Sequence, residues 1–170
     1  MESFRKLSLP RLGLAAIAAL LVAVPAAQAA EDPVVVEARK AYRAQVEPIC
    51  KSSSDSNAKI LKGIEKQVKN GVLVPAGKRF IRASEAFGKA VKRIAKVPRP
   101  STEAQLVGKW IGYLKEQEKW LRKIGQALKA EKEGQANAGA TKLDNANRDG
   151  NELMIDFEFN HCKIKSDKFL

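Results

Sequence analysis

The sequence predicts an all-α protein: an up-down-up-down four-helix bundle that follows a signal peptide and is closed by one disulfide. Apolar residues recur at intervals of three and four along most of the 170 residues, which is the spacing of one face of a helix. Patterns typical of strands are nearly absent, because the two clusters of branched residues, at 34–36 and 72–74, each lie beside a proline. Proline and glycine interrupt the helical pattern where a bundle needs turns.

Residues 1–29 have the pattern of a secretory signal peptide. Three basic residues precede an uncharged run of 13 residues at 12–24, and Ala27 and Ala29 supply the small side chains that signal peptidase reads. Cleavage after Ala29 leaves one domain, 30–170, in which no second apolar stretch approaches the ~20 residues of a membrane-spanning helix. We therefore expect a secreted, cell-wall or periplasmic protein without a transmembrane segment. The alternative is an N-terminal anchor that stays uncleaved.

The first predicted helix starts at Val35 and ends at Asn70-Gly71, a pair typical of a left-handed helix cap. Its apolar face comprises Tyr42, Val46, Ile49, Ile60, Ile64 and Val68. Pro48 removes a backbone donor and disfavours helical geometry at Glu47. We expect a kink or a fresh helix start at this point.

The second predicted helix has Pro75 in its first turn and ends before Pro98 and Pro100. Its apolar face comprises Phe80, Ala83, Phe87, Val91 and Ile94. The third helix is predicted to begin at Ser101-Thr102, with Gln105 placed to complete a capping box. Its apolar face comprises Leu106, Trp110, Leu114, Leu121, Ile124 and Leu128.

Gly134 and Gly139 are predicted to mark the turn before the fourth helix. The apolar face of that helix comprises Leu143, Ala146, Gly150, Leu153, Met154 and Phe157. The connections are short enough to make successive helices antiparallel, which completes the predicted bundle.

Cys50 and Cys162 are the two cysteines of the chain. In an up-down bundle, the start of the first helix and the end of the fourth lie at the same end, so the two sulfur atoms should meet. An exported chain with two cysteines favours a disulfide over metal or redox chemistry. The alternative is a reactive thiol, for which the neighbouring His161 is the one supporting feature.

A resemblance to a known group of proteins rests on two short segments. Tyr42, the Ile49-Cys50 pair and Asn57 form the first, and Phe157-Glu-Phe-Asn-His-Cys162 forms the second. Together they resemble small exported helical proteins of actinobacteria over about residues 42–162. The resemblance implies a helical fold and a disulfide, and it implies no activity.

The composition excludes most catalytic and metal chemistry. A zinc site needs three or four nitrogen or sulfur ligands held together, and the chain has one histidine and two cysteines. Haem would have to use His161 and Met154, but these share one helix face and no covalent attachment motif is present. Asp149, Glu152 and Asp156 are predicted to form a solvated acidic face. We therefore predict a protein that is not an enzyme, with no catalytic residues, metal or cofactor.

Asn57 and Asn147 both fall on core-facing sides of their predicted helices. A buried amide needs hydrogen-bond partners. We interpret the two as a buried polar pair whose hydrogen bond fixes the register of the helices. The alternative is a pocket for a polar ligand.

Positive charge is concentrated on the second predicted helix. Three of the 31 Lys and Arg residues and one of the 19 Asp and Glu residues precede residue 30, so the exported chain carries a net charge of +10. Residues 75–99 carry +7 of it. The residues predicted to lie opposite the apolar face, as a candidate anion-binding site, are Lys78, Arg82, Lys89, Arg93 and Lys96. The alternative is an ordinary solvated face.

The function we expect is that of an exported, non-catalytic binding or structural protein of the cell envelope. Its partners would be anionic envelope polymers or lipid headgroups, engaged through the basic helix. Nucleic acid is disfavoured, because no aromatic residues interleave the lysines for base stacking. The alternative is a carrier of small apolar ligands with a cavity in the bundle, lined by Trp110, Tyr113, Trp120 and the Gly/Ala-rich fourth helix.

Overall fold

The computed structural model describes residues 31–163, and this part of the chain contains helices and no strands. Four long helices and one short helix follow one another along it. The prediction of an all-α fold with four principal helices is confirmed. The predicted signal peptide, 1–29, lies outside the described residues.

Helix α1 spans Pro33–Leu61. It begins where the Asp32 carboxylate accepts a hydrogen bond of 2.9 Å from the backbone N–H of Val34, and Pro33 occupies the first position, where a missing donor costs nothing. A fresh helix start at Pro48 was one of the two outcomes we expected, and it does not occur, because α1 continues through Pro48. The break comes instead at Gly63, whose φ of 73° suits a residue without a Cβ atom.

Helix α2 spans Ile64–Lys69, and Gly71, also at φ 73°, ends it as the Asn70-Gly71 pair predicts. The guanidinium of Arg79 bridges the break between α1 and α2. It donates to the carbonyl oxygen of Ile60 at 2.7 Å and to that of Lys62 at 2.5 Å. One cation of the basic helix therefore binds the free carbonyl groups at a helix end.

Helix α3 spans Leu73–Ile94, and helix α4 spans Ala104–Lys129. The capping box predicted for Thr102 and Gln105 does not form. Ser101–Glu103 is a 3-10 turn, and the α-helix that follows it has no side-chain cap. The chain enters α4 through a tighter turn that offers no N-cap position at Thr102.

Helix α5 spans Glu133–Leu153 and is followed by a 3-10 turn at Ile155–Phe157. The prediction that Gly134 and Gly139 mark the preceding turn is wrong, because both lie within α5. The turn comes earlier, and Glu131 adopts its left-handed conformation at φ 55°. Gly139 instead provides space, since a Cβ atom there would lie 3.0 Å from a side-chain carbon of Ile124 on α4.

One hydrophobic core joins the helices. Helix α3 packs against α1, α2 and α4, and α4 packs against α5. The segment after α5 also enters this core, because Phe157 and Phe159 are both buried. Phe157 meets Tyr42 edge-on with ring centroids 5.9 Å apart, and Phe159 stacks on Trp110 at 5.1 Å. The segment 154–162 is thus part of the core of the described residues.

Candidate functional site

A disulfide joins Cys50 and Cys162, as predicted, with Cα atoms 5.0 Å apart. We expected Cys50 near the start of the first helix, but it lies past the middle of α1. The disulfide is therefore attached further along this helix than expected. Beside the disulfide, the Glu47 carboxylate accepts hydrogen bonds from the backbone N–H groups of Asn160, at 2.6 Å, and His161, at 3.0 Å. These contacts hold the segment 158–163 against α1.

A cavity of about 210 Å³ lies between this segment and helices α1, α3, α4 and α5. Its apolar walls include Leu61, Phe87, Ile94, Leu114, Leu121 and Leu143. Exposed residues also line it, namely Ser54, Asn160, His161 and Lys163. We call this space the amide cavity, because three buried amide side chains line it: Asn57, Gln117 and Asn147.

The three amides come from three helices, α1, α4 and α5, and are 7%, 1% and 2% exposed respectively. Gln117 donates one long hydrogen bond, of 3.4 Å, to the carbonyl oxygen of Ala146. Within the described residues, the side-chain oxygen atoms of all three amides and the Nδ2 atom of Asn147 have no hydrogen-bond partner. Each such buried group costs about 1–3 kcal/mol relative to a satisfied one.

Asn57 and Asn147 lie on core-facing sides of their helices, as their spacing predicts, and both are buried on one cavity. The hydrogen bond we expected between them is absent, since neither polar atom of the Asn147 amide has a partner in residues 31–163. Gln117 is a cavity residue that the predicted apolar faces do not include. It occupies the one gap of seven residues in the apolar face of α4, between Leu114 and Leu121, and this gap was the available signal.

The aromatic residues predicted to line a ligand cavity lie elsewhere. Trp110 stacks on Phe159, and the half-buried Trp120 lies beneath the ammonium groups of Lys119 and Lys123, at 5.4 and 4.6 Å from its ring centroid. The amide cavity is not lined by Trp110, Tyr113 or Trp120.

A second concave surface, of about 350 Å³, follows the line where α1 meets α3. Arg82, Lys89 and Arg93 of α3 line one side of it. Ser52, Ser53 and Ser56 of α1 line the other side. We call this surface the basic groove, and Glu85 is its one acidic residue.

The five predicted anion-binding residues are all exposed, but the structure divides them. Arg82, Lys89 and Arg93 lie in the basic groove, whereas Lys78 and Lys96 do not line it. Lys96 follows the last residue of α3. None of the three groove cations forms an ion pair with any residue of the described chain. Their charges are therefore free to meet an external anion.

The remaining ionisable and metal-binding side chains of the described residues do not form a common site. In residues 31–163, no group of three or more His, Cys, Asp and Glu side chains is arranged to hold a metal ion. Met154 is buried whereas His161 is exposed, and Asp156 lies 3.9 Å from the guanidinium of Arg39. No helix of the described residues is both long and apolar enough to cross a membrane.

The fold and its two concave surfaces define a disulfide-closed helical protein with a partly open cavity lined by buried amides and a basic groove on its surface. Comparisons with protein-family models, with curated proteins and with solved structures found no match to the chain. The resemblance to exported actinobacterial proteins therefore stays a prediction.

Proposed function

We propose that the protein is an exported, non-catalytic binding protein of the cell envelope, and that it engages anionic polymers at the basic groove. One observation carries this proposal: three cations without carboxylate partners in the described residues line the same groove as Ser52, Ser53 and Ser56, although the Ser53 hydroxyl itself is buried. Guanidinium and ammonium groups attract phosphate and carboxylate, and hydroxyl groups donate hydrogen bonds to the same oxygen atoms.

The spacing of the cations suits an extended ligand. Arg82 and Arg93, with Lys89 between them, are separated by 11 positions of α3, which corresponds to roughly 16 Å along a helix axis. A polymer with repeated anionic groups can contact all three cations at once, whereas a single small anion cannot. Glu85 lies between them and reduces the positive charge of the groove, so its removal should strengthen binding.

Export is proposed on two supports, the signal-peptide pattern of residues 1–29 and the disulfide, which persists in oxidising compartments. The up-down-up-down course of the bundle is proposed on contacts between helix ends. Arg39, near the start of α1, binds Glu103, just before α4, and Arg79, near the start of α3, binds the end of α1. Both contacts suit helices that alternate in direction.

The test compares two triple variants with equal changes in charge. The first variant replaces Arg82, Lys89 and Arg93 with Glu. The second also introduces three Glu residues, in place of Lys109, Lys115 and Lys142, which are exposed and outside the groove. Binding of wild-type protein to immobilised teichoic acid and to heparin should weaken as salt rises. The groove variant should bind roughly 100-fold more weakly, at about 1 kcal/mol for each cation lost near an anionic surface.

Circular dichroism should show both triple variants folded, and a version with Gln in place of Glu provides a milder change should the first unfold. Equal losses in the two variants would show that net charge alone matters and would contradict the groove as the site. Failure of the wild type to bind at physiological salt would contradict the proposal itself. Preferential binding to anionic lipid vesicles would assign the groove to headgroups instead.

A further inference from the structure

The buried amides require an explanation that the basic groove does not supply. We propose that the amide cavity binds one small, uncharged molecule that has an apolar body and a polar group able both to donate and to accept hydrogen bonds. This site lies between the helices and the segment 158–163, and it is separate in chemistry from the proposed anion site.

The unsatisfied polar atoms point to a partner from outside the chain. Asn57, Gln117 and Asn147 are each more than nine-tenths buried, and they reach one cavity from three helices. Four of their side-chain atoms have no partner in the described residues. Leucine would occupy similar space at any of these positions without leaving a buried polar group unpaired. A ligand that pairs with these atoms removes this cost when it binds.

The size of the cavity limits the ligand. An apolar cavity of ~150 Å³ in another protein takes up benzene. At about 210 Å³, the amide cavity can hold a molecule somewhat larger than a single aromatic ring. Its leucine, isoleucine and phenylalanine walls suit the apolar body of such a molecule, and the amides suit its polar group.

The lining selects against charge. The ionisable side chains that line the cavity, His161 and Lys163, are both exposed, and the other lining residues are neutral. A charged group bound among the buried amides would lose its hydration, and the lining offers no carboxylate to a cation and only the exposed ammonium group of Lys163 to an anion. We therefore assign the cavity to neutral amides, lactams and alcohols as a class.

The lining also includes both cysteines of the disulfide, Cys50 and Cys162. The wall that carries Asn160 and His161 is thereby fixed to α1, together with its contacts to Glu47. A wall held in this way keeps the polar groups of the cavity in place before the ligand arrives, which reduces the entropy lost on binding.

The experiment uses three probes built on one benzene ring with a single substituent: benzamide, which is neutral with a donor and an acceptor, toluene, which is apolar, and benzoate, which is charged. Isothermal titration calorimetry on the oxidised full-length protein should show saturable benzamide binding, with toluene and benzoate at least about tenfold weaker. Asn147→Leu should weaken benzamide binding by roughly tenfold and leave toluene binding unchanged or stronger.

Asn137→Leu is the matched control, because Asn137 is an exposed residue of the same helix and does not line the cavity. It should bind benzamide like the wild type. Asn57→Leu provides a second cavity variant should Asn147→Leu fail to fold. Equal binding of benzamide and toluene would overturn the proposal in favour of an apolar carrier. Absence of benzamide binding, or binding that Asn147→Leu and Asn57→Leu leave intact, would also overturn it.

Discussion

The backbone carbonyl oxygen of Gly125 on α4 lies 2.5 Å from the position that a Cβ atom on Gly77 of α3 would occupy. The reverse relationship is similar, because a Cβ atom on Gly125 would lie 2.7 Å from the carbonyl oxygen of Gly77. Both residues are buried. Helices α3 and α4 therefore cross with backbone against backbone, and neither position has room for a methyl group.

Replacing Gly125 with Ala should lower the free energy of unfolding by about 1–3 kcal/mol, because the new Cβ atom meets main-chain atoms that cannot rotate away. Gly112→Ala on the same helix is the control. Nothing lies within 4 Å of its Cβ position, so it should gain about 0.5–1 kcal/mol from helix propensity. Urea unfolding of both variants measures the difference. Stabilisation by both substitutions would contradict the close crossing.

The apolar spacing predicted the long helices well because each helix buries one face against its neighbours. Phe80, Phe87 and Ile94 are buried on α3, as their spacing predicts. The positions of the breaks depend on tertiary packing instead, which the periodicity of one sequence does not encode. Gly139 lies inside α5, where a Cβ atom would approach Ile124 of α4, and Arg79 of α3 binds carbonyl groups beside the break at Gly63.

The candidate sites were predicted in part for a similar reason. The side of a helix on which Asn57, Asn147 or Arg82 lies follows from its spacing. The spacing does not show which residues of another helix lie beside them. The serines of the basic groove and the convergence of the three amides are therefore seen only in the packed structure.

The disulfide predicts an oxidised protein without free thiols among its two cysteines. Thiol labelling under denaturing, non-reducing conditions should give no modification. The Cys50→Ala, Cys162→Ala double variant should lose about 2–4 kcal/mol of unfolding free energy, because the unfolded chain is no longer constrained. Reduction of the wild type should produce a similar loss. One or two labels per chain before reduction would show that the crosslink is absent.

The ion pair between Arg39 and Glu103 should contribute measurably to stability. Arg39 Nε donates to both carboxylate oxygens, at 2.9 and 3.0 Å, and Nη2 donates at 2.7 Å. The side chains are only 12% and 11% exposed. The hydrogen bond to Glu103 raises the pKa of Arg39 further above its usual range, although burial opposes this effect.

A double-mutant cycle of Arg39→Gln and Glu103→Gln should give a coupling energy of about 1–2 kcal/mol that persists in high salt. The exposed pair of Lys40 and Glu37 is the comparison, with an expected coupling of no more than about 0.5 kcal/mol. Equal coupling energies for the two pairs would contradict the role of burial.

Tyr42 should make the stability of the protein depend on alkaline pH. Its side chain is 1% exposed, and its hydroxyl oxygen has no hydrogen-bond partner in the described residues. Burial raises the pKa of Tyr42 to about 12, against a partial opposing effect of Arg99. The unfolded chain therefore releases the phenol proton near pH 10 while the folded chain retains it. Stability from this residue is complete below pH 10 and falls as the pH rises toward 12, by roughly 2–3 kcal/mol in total.

The variant Tyr42→Phe isolates this effect, because every other ionisable group is common to both proteins. At pH 7 its free energy of unfolding should lie within ~1 kcal/mol of the wild type, since the lost hydroxyl makes no hydrogen bond. Urea unfolding in steps from pH 8 to 11.5 should then show that, above pH 10, the free energy of unfolding of the variant rises steadily relative to that of the wild type. The aromatic contact with Phe157 is retained by the phenyl ring, so a difference that stays constant with pH would mean that the hydroxyl ionises as readily in the folded protein as in the unfolded chain.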